Sequence, residues 1–162
     1  MKINEKKLNR LGELISLGGY KLSLAESMPG GFFTSIWSLQ TESGDYLEGS
    51  IVCYSENVKK EVLGVPGSLI DRFSAESERV TESMLQGLET VIPADIHIAV
   101  TGKAFSDSEG SANAVRGDVF LCVSCQNKVA SQKFHFSSLN AAHIFISAFN
   151  ASLDMLESLL CD

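Results

Sequence analysis

Short apolar runs of strand length alternate along this chain with stretches whose apolar residues recur at helical spacing, and that interleaving admits few folds. Leu8, Leu11 and Ile15 share one helical face in residues 4–17, and Gly18-Gly19 stops the run. Residues 20–25 then alternate as a short strand, with Leu22 and Leu24 on one side. From Gly30 the helical period returns through Phe32, Ile36 and Leu39. Ile51-Val52-Cys53-Tyr54 reads as a buried strand and 57–63 as a short helix, after which Pro66-Gly67 breaks the chain ahead of a further helical piece ending near Phe73. Val80, Met84, Leu88 and Val91 form a single stripe that Pro93 ends, and a strand is expected at 96–101. Residues 105–117 are rich in Ser, Gly, Asp and Asn and read as a loop. The runs 119–124 and 129–136 flank Gln126-Asn127-Lys128 as a hairpin. Ala142, Phe145, Phe149, Leu153, Leu156 and Leu160 close the chain as a long amphipathic helix.

This order predicts an α/β fold with a mostly parallel sheet and an antiparallel hairpin on one side. Ligands of such sheets lie at the carboxyl ends of the strands, which here means segments 26–31, 55–60 and 102–108. The 162 residues fit one domain, 1–162, large enough to hold together without disulfides or metal. With 44% hydrophobic and 20% charged residues the composition is globular, and a net charge of −7 argues against a basic nucleic-acid-binding face. No run approaches the roughly 20 apolar residues that span a bilayer. The charged first ten residues lack a following apolar segment, so a cytoplasmic protein with no membrane partner is expected. Cys53, Cys122, Cys125 and Cys161 read as reduced thiols.

The chemistry concentrates after the first two strands. Ala25-Glu26-Ser27-Met28-Pro29-Gly30-Gly31 joins a strand to a helix, where backbone N–H groups gather around an anion. Ser27 there is either a nucleophile beside an oxyanion or phosphate cradle, or simply the cap of the helix. Lys59, in Tyr54-Ser55-Glu56-Asn57-Val58-Lys59, serves as a base toward a serine only if burial keeps it neutral; otherwise it is a solvated surface lysine. Cys122 and Cys125 have CxxC spacing, but three residues along a strand point to opposite faces, which is weak support for a metal. His97 alternates with Ile96 and Ile98 and reads as a core or sheet-face histidine; His135 and His143 join no metal-like group.

Together these segments resemble the CinA C-terminal domain family, also called PncC, whose active members are nicotinamide mononucleotide deamidases. Ala25-Glu26-Ser27 with Gly30-Gly31 is similar to Ala-Glu-Ser-x-Thr-Gly-Gly, and Tyr54-Ser55 with Lys59 to Tyr-Ser-Asn-x-x-Lys. Ala75-Glu76-Ser77-Glu78 corresponds to a Val-Ser-Glu helix start, Thr101-Gly102-x-Ala104 to Thr-Gly-Ile-Ala-Gly-Pro, and Gly117-Asp118-Val119 falls where the family has Gly-Thr-Val. The resemblance implies a three-layer α/β/α fold and an amide hydrolase that needs no metal or organic cofactor. It makes Ser27 the nucleophile and Lys59 its base, with Glu26, Gly30, Gly31, Tyr54, Thr101, Gly102 and Lys103 binding a pyridine-nucleotide-like small molecule.

Several positions depart from the pattern. Pro29 replaces threonine and removes a hydroxyl and an N–H from the turn, and Glu56 replaces asparagine with a carboxylate able to hold Lys59 charged. Phe105-Ser106 stands for Gly-Pro, and Ser137-Ser138-Leu139 for Gly-Asp-Arg, which removes a phosphate partner. Lys103, where isoleucine is usual, returns one positive charge. The expected outcome is weakened amidase activity or an altered substrate. The alternative is an inactive paralogue that binds a small molecule or a partner protein, a second copy of itself being one admissible partner.

Overall fold

A computed structural model describes residues 2–105, 114–138 and 140–161. The expected loop at 105–117 falls largely outside them, as do Ser106 and Leu139. Five strands form one sheet in the order β2-β1-β3-β4-β5. β1 (Leu22–Glu26) lies between β2 (Leu47–Val52) and β3 (Ile96–Gly102), parallel to both. β4 (Asp118–Cys125) and β5 (Lys128–His135) follow antiparallel, as the expected hairpin.

Helices cover both faces and make three layers. On one side α1 (Glu5–Leu17), α2 (Phe32–Trp37) and α7 (Ala141–Cys161) bury Leu11, Ile15, Phe33, Trp37 and Phe149 against Leu24, Ile98 and Leu121. Phe149 meets Phe33 edge-on at 5.2 Å between ring centroids and Trp37 at 6.2 Å, a geometry that adds to plain area burial. On the other side α4 (Glu56–Leu63), α5 (Gly67–Phe73) and α6 (Glu78–Val91) bury Leu63, Ile70, Val80, Met84 and Leu88 against Ala25 and Ala99. Cys122 packs into the second layer and Cys125 into the first, so the CxxC pair is split across the sheet. His97 is buried on the sheet with its Nδ1 3.3 Å from Ser124 Oγ. Among the described residues no helix is long and apolar enough to cross a membrane.

Three local expectations need correction. β2 starts at Leu47 and ends at Val52, earlier than its apolar run, because Glu48, Gly49 and Ser50 on this edge strand hide the pattern while their backbone still pairs with β1. Leu39 leaves the α2 stripe. The helix stops at Trp37, and 3₁₀-type bonds from Leu39 N to Ile36 O and from Gln40 N to Trp37 O turn Leu39 outward to 79% exposure. Lys128 belongs to β5, leaving Gln126 and Asn127 as a two-residue turn with Gln126 at φ 54°. A short helix, α3 (Ser43–Tyr46), was not expected from the pattern.

The hairpin holds one wall of the site. Lys103 N donates to Asp118 O at 2.9 Å and Gly117 N to Lys103 O at 2.7 Å. The buried Asp118 carboxylate accepts from Lys133 Nζ and pairs with His135 Nδ1, both at 2.9 Å, and from Val115 N at 3.2 Å. Burial alone would raise its pKa, but these bonds outweigh burial and hold it below the ordinary carboxylate value. Its stabilising contribution is therefore full at neutral pH and is lost as pH falls through that lowered value. Asp118→Asn should cost about 1–2 kcal/mol at neutral pH, kept small by the half-exposed partners, and the difference should shrink in acid. Urea denaturation of both proteins across a pH series measures it.

Candidate active site

Parallel strands bring their carboxyl ends together, and the chain leaves β1, β2 and β3 on the same edge of the sheet. Ser27 follows β1 directly, its N–H donating to Val100 O at 3.0 Å, while Cys53 N donates to Glu26 O at 2.8 Å from the other flank. After β2, Ser55 caps α4 by accepting from Val58 N at 3.3 Å. That cap fixes the helix so that Lys59, one turn in, points under the sheet edge. Lys59 is 1% exposed, and its Nζ donates to Ser27 Oγ at 2.9 Å.

Ser27, Met28, Tyr54, Glu76, Gly102, Lys103, Ala104 and Phe105 line a cavity of about 190 Å³. Tyr54 and Phe105 form an exposed rim. At Gly102 an added Cβ would lie 2.7 Å from Asp118 O and 2.8 Å from Met28 Cε, so only glycine lets the hairpin and the Ser27 turn approach this closely. Gly30 lies beneath Tyr54, where an added Cβ would be 3.8 Å from the ring.

Glu26, Gly31 and Thr101 face the protein itself. The fully buried Glu26 carboxylate accepts from Gly31 N at 2.9 Å, Phe33 N at 3.1 Å, Thr34 N at 2.8 Å and Thr34 Oγ1 at 2.6 Å. It therefore fills the anion position at the start of α2 that the sequence offered to a ligand. Gly31, at φ 102°, gives the chain the left-handed bend that turns those N–H groups onto Glu26. Thr101 is buried with its Oγ1 2.8 Å from Thr81 Oγ1, which ties β3 to α6. Pro29 is buried in the turn ahead of the helix and offers no N–H.

Burial is the largest influence on Lys59 and pushes its pKa below the ordinary lysine value, while charge on Cys53, Glu76 and Glu56 pulls it back. The pull of Cys53 requires a thiolate, and burial raises that thiol to about 11, so it is absent at neutral pH. Glu56 lies exposed at the first position of α4 and is the weakest of the three. Glu76 is the residue that the sequence did not single out. It sits just before the cap of α6, where local pattern signals only a helix start.

The model of the CinA C-terminal domain matches residues 4–160 of this chain. The chain belongs to that family. A CinA-like protein from Flavobacterium psychrophilum is 34% identical over 146 residues, covering 90% of this chain and 34% of the relative. Another CinA-like protein, from Syntrophomonas wolfei, is 28% identical over 153 residues, covering 94% and 36%. The chain thus spans about a third of the length of these curated relatives. The crystal structure of a competence/damage inducible protein from Agrobacterium tumefaciens superposes with a TM-score of 0.89 at 26% identity, over 96% of this chain and 94% of that one. A Klebsiella pneumoniae competence damage-inducible protein has the same fold, with a TM-score of 0.90 at 22% identity over 99% and 98%.

Proposed function

We propose that this CinA-family chain hydrolyses a carboxamide of the pyridine-nucleotide type through an ester on Ser27, slowly compared with an enzyme built around a full anion site. The observation that carries this reading is the 2.9 Å contact between the buried Lys59 amine and the Ser27 hydroxyl at the wall of a cavity. With Lys59 neutral, the hydroxyl donates to Nζ. Oγ then bonds to the carboxamide carbon as its proton moves to Nζ. The C–N bond breaks, and that proton leaves on the nitrogen as ammonia. Lys59 next takes a proton from water, whose oxygen attacks the ester, and the protonated amine returns the proton to Oγ as the carboxylic acid departs. Only the neutral amine works, so the rate rises with pH until Lys59 is deprotonated.

Slowness follows from the turn. Pro29 has no N–H and Gly31 N is engaged by Glu26, so neither supports the oxyanion. Those facts, with a cavity smaller than the roughly 300 Å³ typical of ligand pockets, favour the second reading of a binding or interaction paralogue. Buried free thiols at Cys53, Cys122 and Cys125 support a reducing, cytoplasmic setting.

Ammonia and nicotinic acid mononucleotide released from nicotinamide mononucleotide, measured beside Ser27→Ala, test the proposal. Slow release by the parent, rising with pH and absent from the variant, is expected. Equal release by both proteins ends the Ser27 reading, and no release with nucleotide binding retained supports the paralogue.

A further inference from the structure

A groove of about 450 Å³ lies between α1 and residues 36–42, and it shares no lining residue with the Ser27 cavity. Its apolar side chains are Ile3, Leu8, Ile36 and Leu39. Leu39, 79% exposed, is a large apolar side chain held in water at the wall of a cleft. Gln40 fixes that wall. Its Nε2 donates to Asn9 Oδ1 at 2.6 Å, and its Oε1 accepts from the Tyr46 hydroxyl at 3.2 Å. Gly12 makes room for this bridge, because an added Cβ would collide with Gln40 Oε1. The groove is therefore shaped before anything enters it.

Three carboxylates rim it, Glu5 and Glu13 from α1 and Glu42 from the facing wall. Among the described residues none of them makes an ion pair or accepts a side-chain hydrogen bond. The cations of α1 do not serve them, since Lys7 pairs with Asp154 and Glu157, and Arg10 with Glu157, all on α7. An occupant complementary to this surface brings apolar area and positive charge together, which argues against an anionic membrane or a nucleic acid. It must also satisfy its own backbone, because the walls are a helix and a turn and offer no strand edge. A helix meets that condition and an extended peptide does not. A second copy of this chain lacks the charge. Among the described helices only α1 holds more cations than carboxylates, and its Lys7 and Arg10 are already paired.

We propose that this groove docks a cationic amphipathic helix of another protein, with its apolar face on Ile36 and Leu39 and its lysines or arginines on Glu5, Glu13 and Glu42. Glu5 and Glu13 stand about 12 Å apart along α1, so two turns of the incoming helix set cations opposite both. The site stands whether or not the Ser27 cavity hydrolyses an amide.

Fluorescence anisotropy at low salt tests it, with a labelled peptide of about 14 leucines and lysines at helical spacing as the probe. Glu5→Gln/Glu13→Gln/Glu42→Gln should weaken binding about tenfold, as the loss of three exposed ion pairs does. Glu61→Gln/Asp71→Asn/Glu78→Gln removes the same charge from the opposite layer and should stay within about twofold of the parent. Leu39→Ser changes no charge and should weaken binding about fivefold through lost apolar contact. A peptide with glutamates for lysines, and one of the original composition interrupted by proline, should each bind at least about tenfold more weakly than the probe. Equal weakening by the two triple variants, undiminished binding to Leu39→Ser, tight binding of either control peptide, or no binding of the probe overturns the proposal. Ser27→Ala should bind the probe as the unmodified chain does, which separates this result from the fate of the amidase reading.

Discussion

Lys59→Met is expected to abolish amide release while making the protein more stable. Removal of a positioned general base lowers turnover by about 10²–10⁴-fold, and the methionine thioether cannot accept the Ser27 proton. The stability change has the opposite sign because Lys59 is almost wholly enclosed, and burial works against its charged form. Methionine fills a similar volume without that penalty, although Ser27 Oγ loses its 2.9 Å partner. The balance is a gain of about 1 kcal/mol, or about 2–4 °C in Tm for a chain of this size. The gain depends on pH. A lysine whose pKa is lower folded than unfolded binds fewer protons in the native state, so stability of the unmodified chain rises with pH between the lowered value and the unfolded value near 10.4. Lys59→Met lacks that slope, and its advantage narrows as pH rises through the window. Thermal melts and ammonia release from the two proteins across a pH series check both halves. Undiminished release would show that Ser27 has another base, and a less stable variant would show that the amine's contacts outweigh its burial.

The position of this site was legible in the sequence for a simple reason. Strand period and helix period alternate, and parallel strands end together, so Ser27 after β1 and Lys59 after β2 were expected at one end of the sheet, while their 2.9 Å contact depends on the burial of Lys59, which the sequence left open. The hairpin and the separation of Cys122 from Cys125 followed equally from local period. What the sequence did not reveal depends on contacts between distant segments. Glu76 enters the cavity because the loop before α6 is tied back to β3 through Thr81 and Thr101, and nothing in residues 74–78 says so. The extent of β2 was hidden because Glu48 and Ser50 lie on an edge strand whose pairing is carried by backbone alone. Asp118 drew notice only as part of Gly117-Asp118-Val119, because its partners Lys133 and His135 are supplied by the next strand.

The family resemblance placed Glu26 among the ligand contacts, whereas its carboxylate accepts from the protein's own backbone, and those bonds lead to the largest expected loss of stability. Glu26→Ala should destabilise the fold by about 3–5 kcal/mol. Three backbone N–H groups at the start of α2 and the Thr34 hydroxyl converge on that carboxylate inside the protein. Bonds to a charged acceptor contribute about 1.5–3 kcal/mol each, and four that share one residue do not add in full. Alanine leaves these donors without an acceptor where water has little access, and it also removes the negative charge that faces the positive end of the helix. Glu26→Gln should fall between alanine and the parent, since one amide oxygen can still accept while the amide nitrogen confronts other donors. Thr34→Val, which deletes a single 2.6 Å bond from the same set, should cost only about 1 kcal/mol. Urea denaturation midpoints should therefore order parent, Thr34→Val, Glu26→Gln and Glu26→Ala from most to least stable. A Glu26→Ala protein within about 1 kcal/mol of the parent would mean that water replaces the carboxylate at the helix start, which would reopen that position to an anionic ligand.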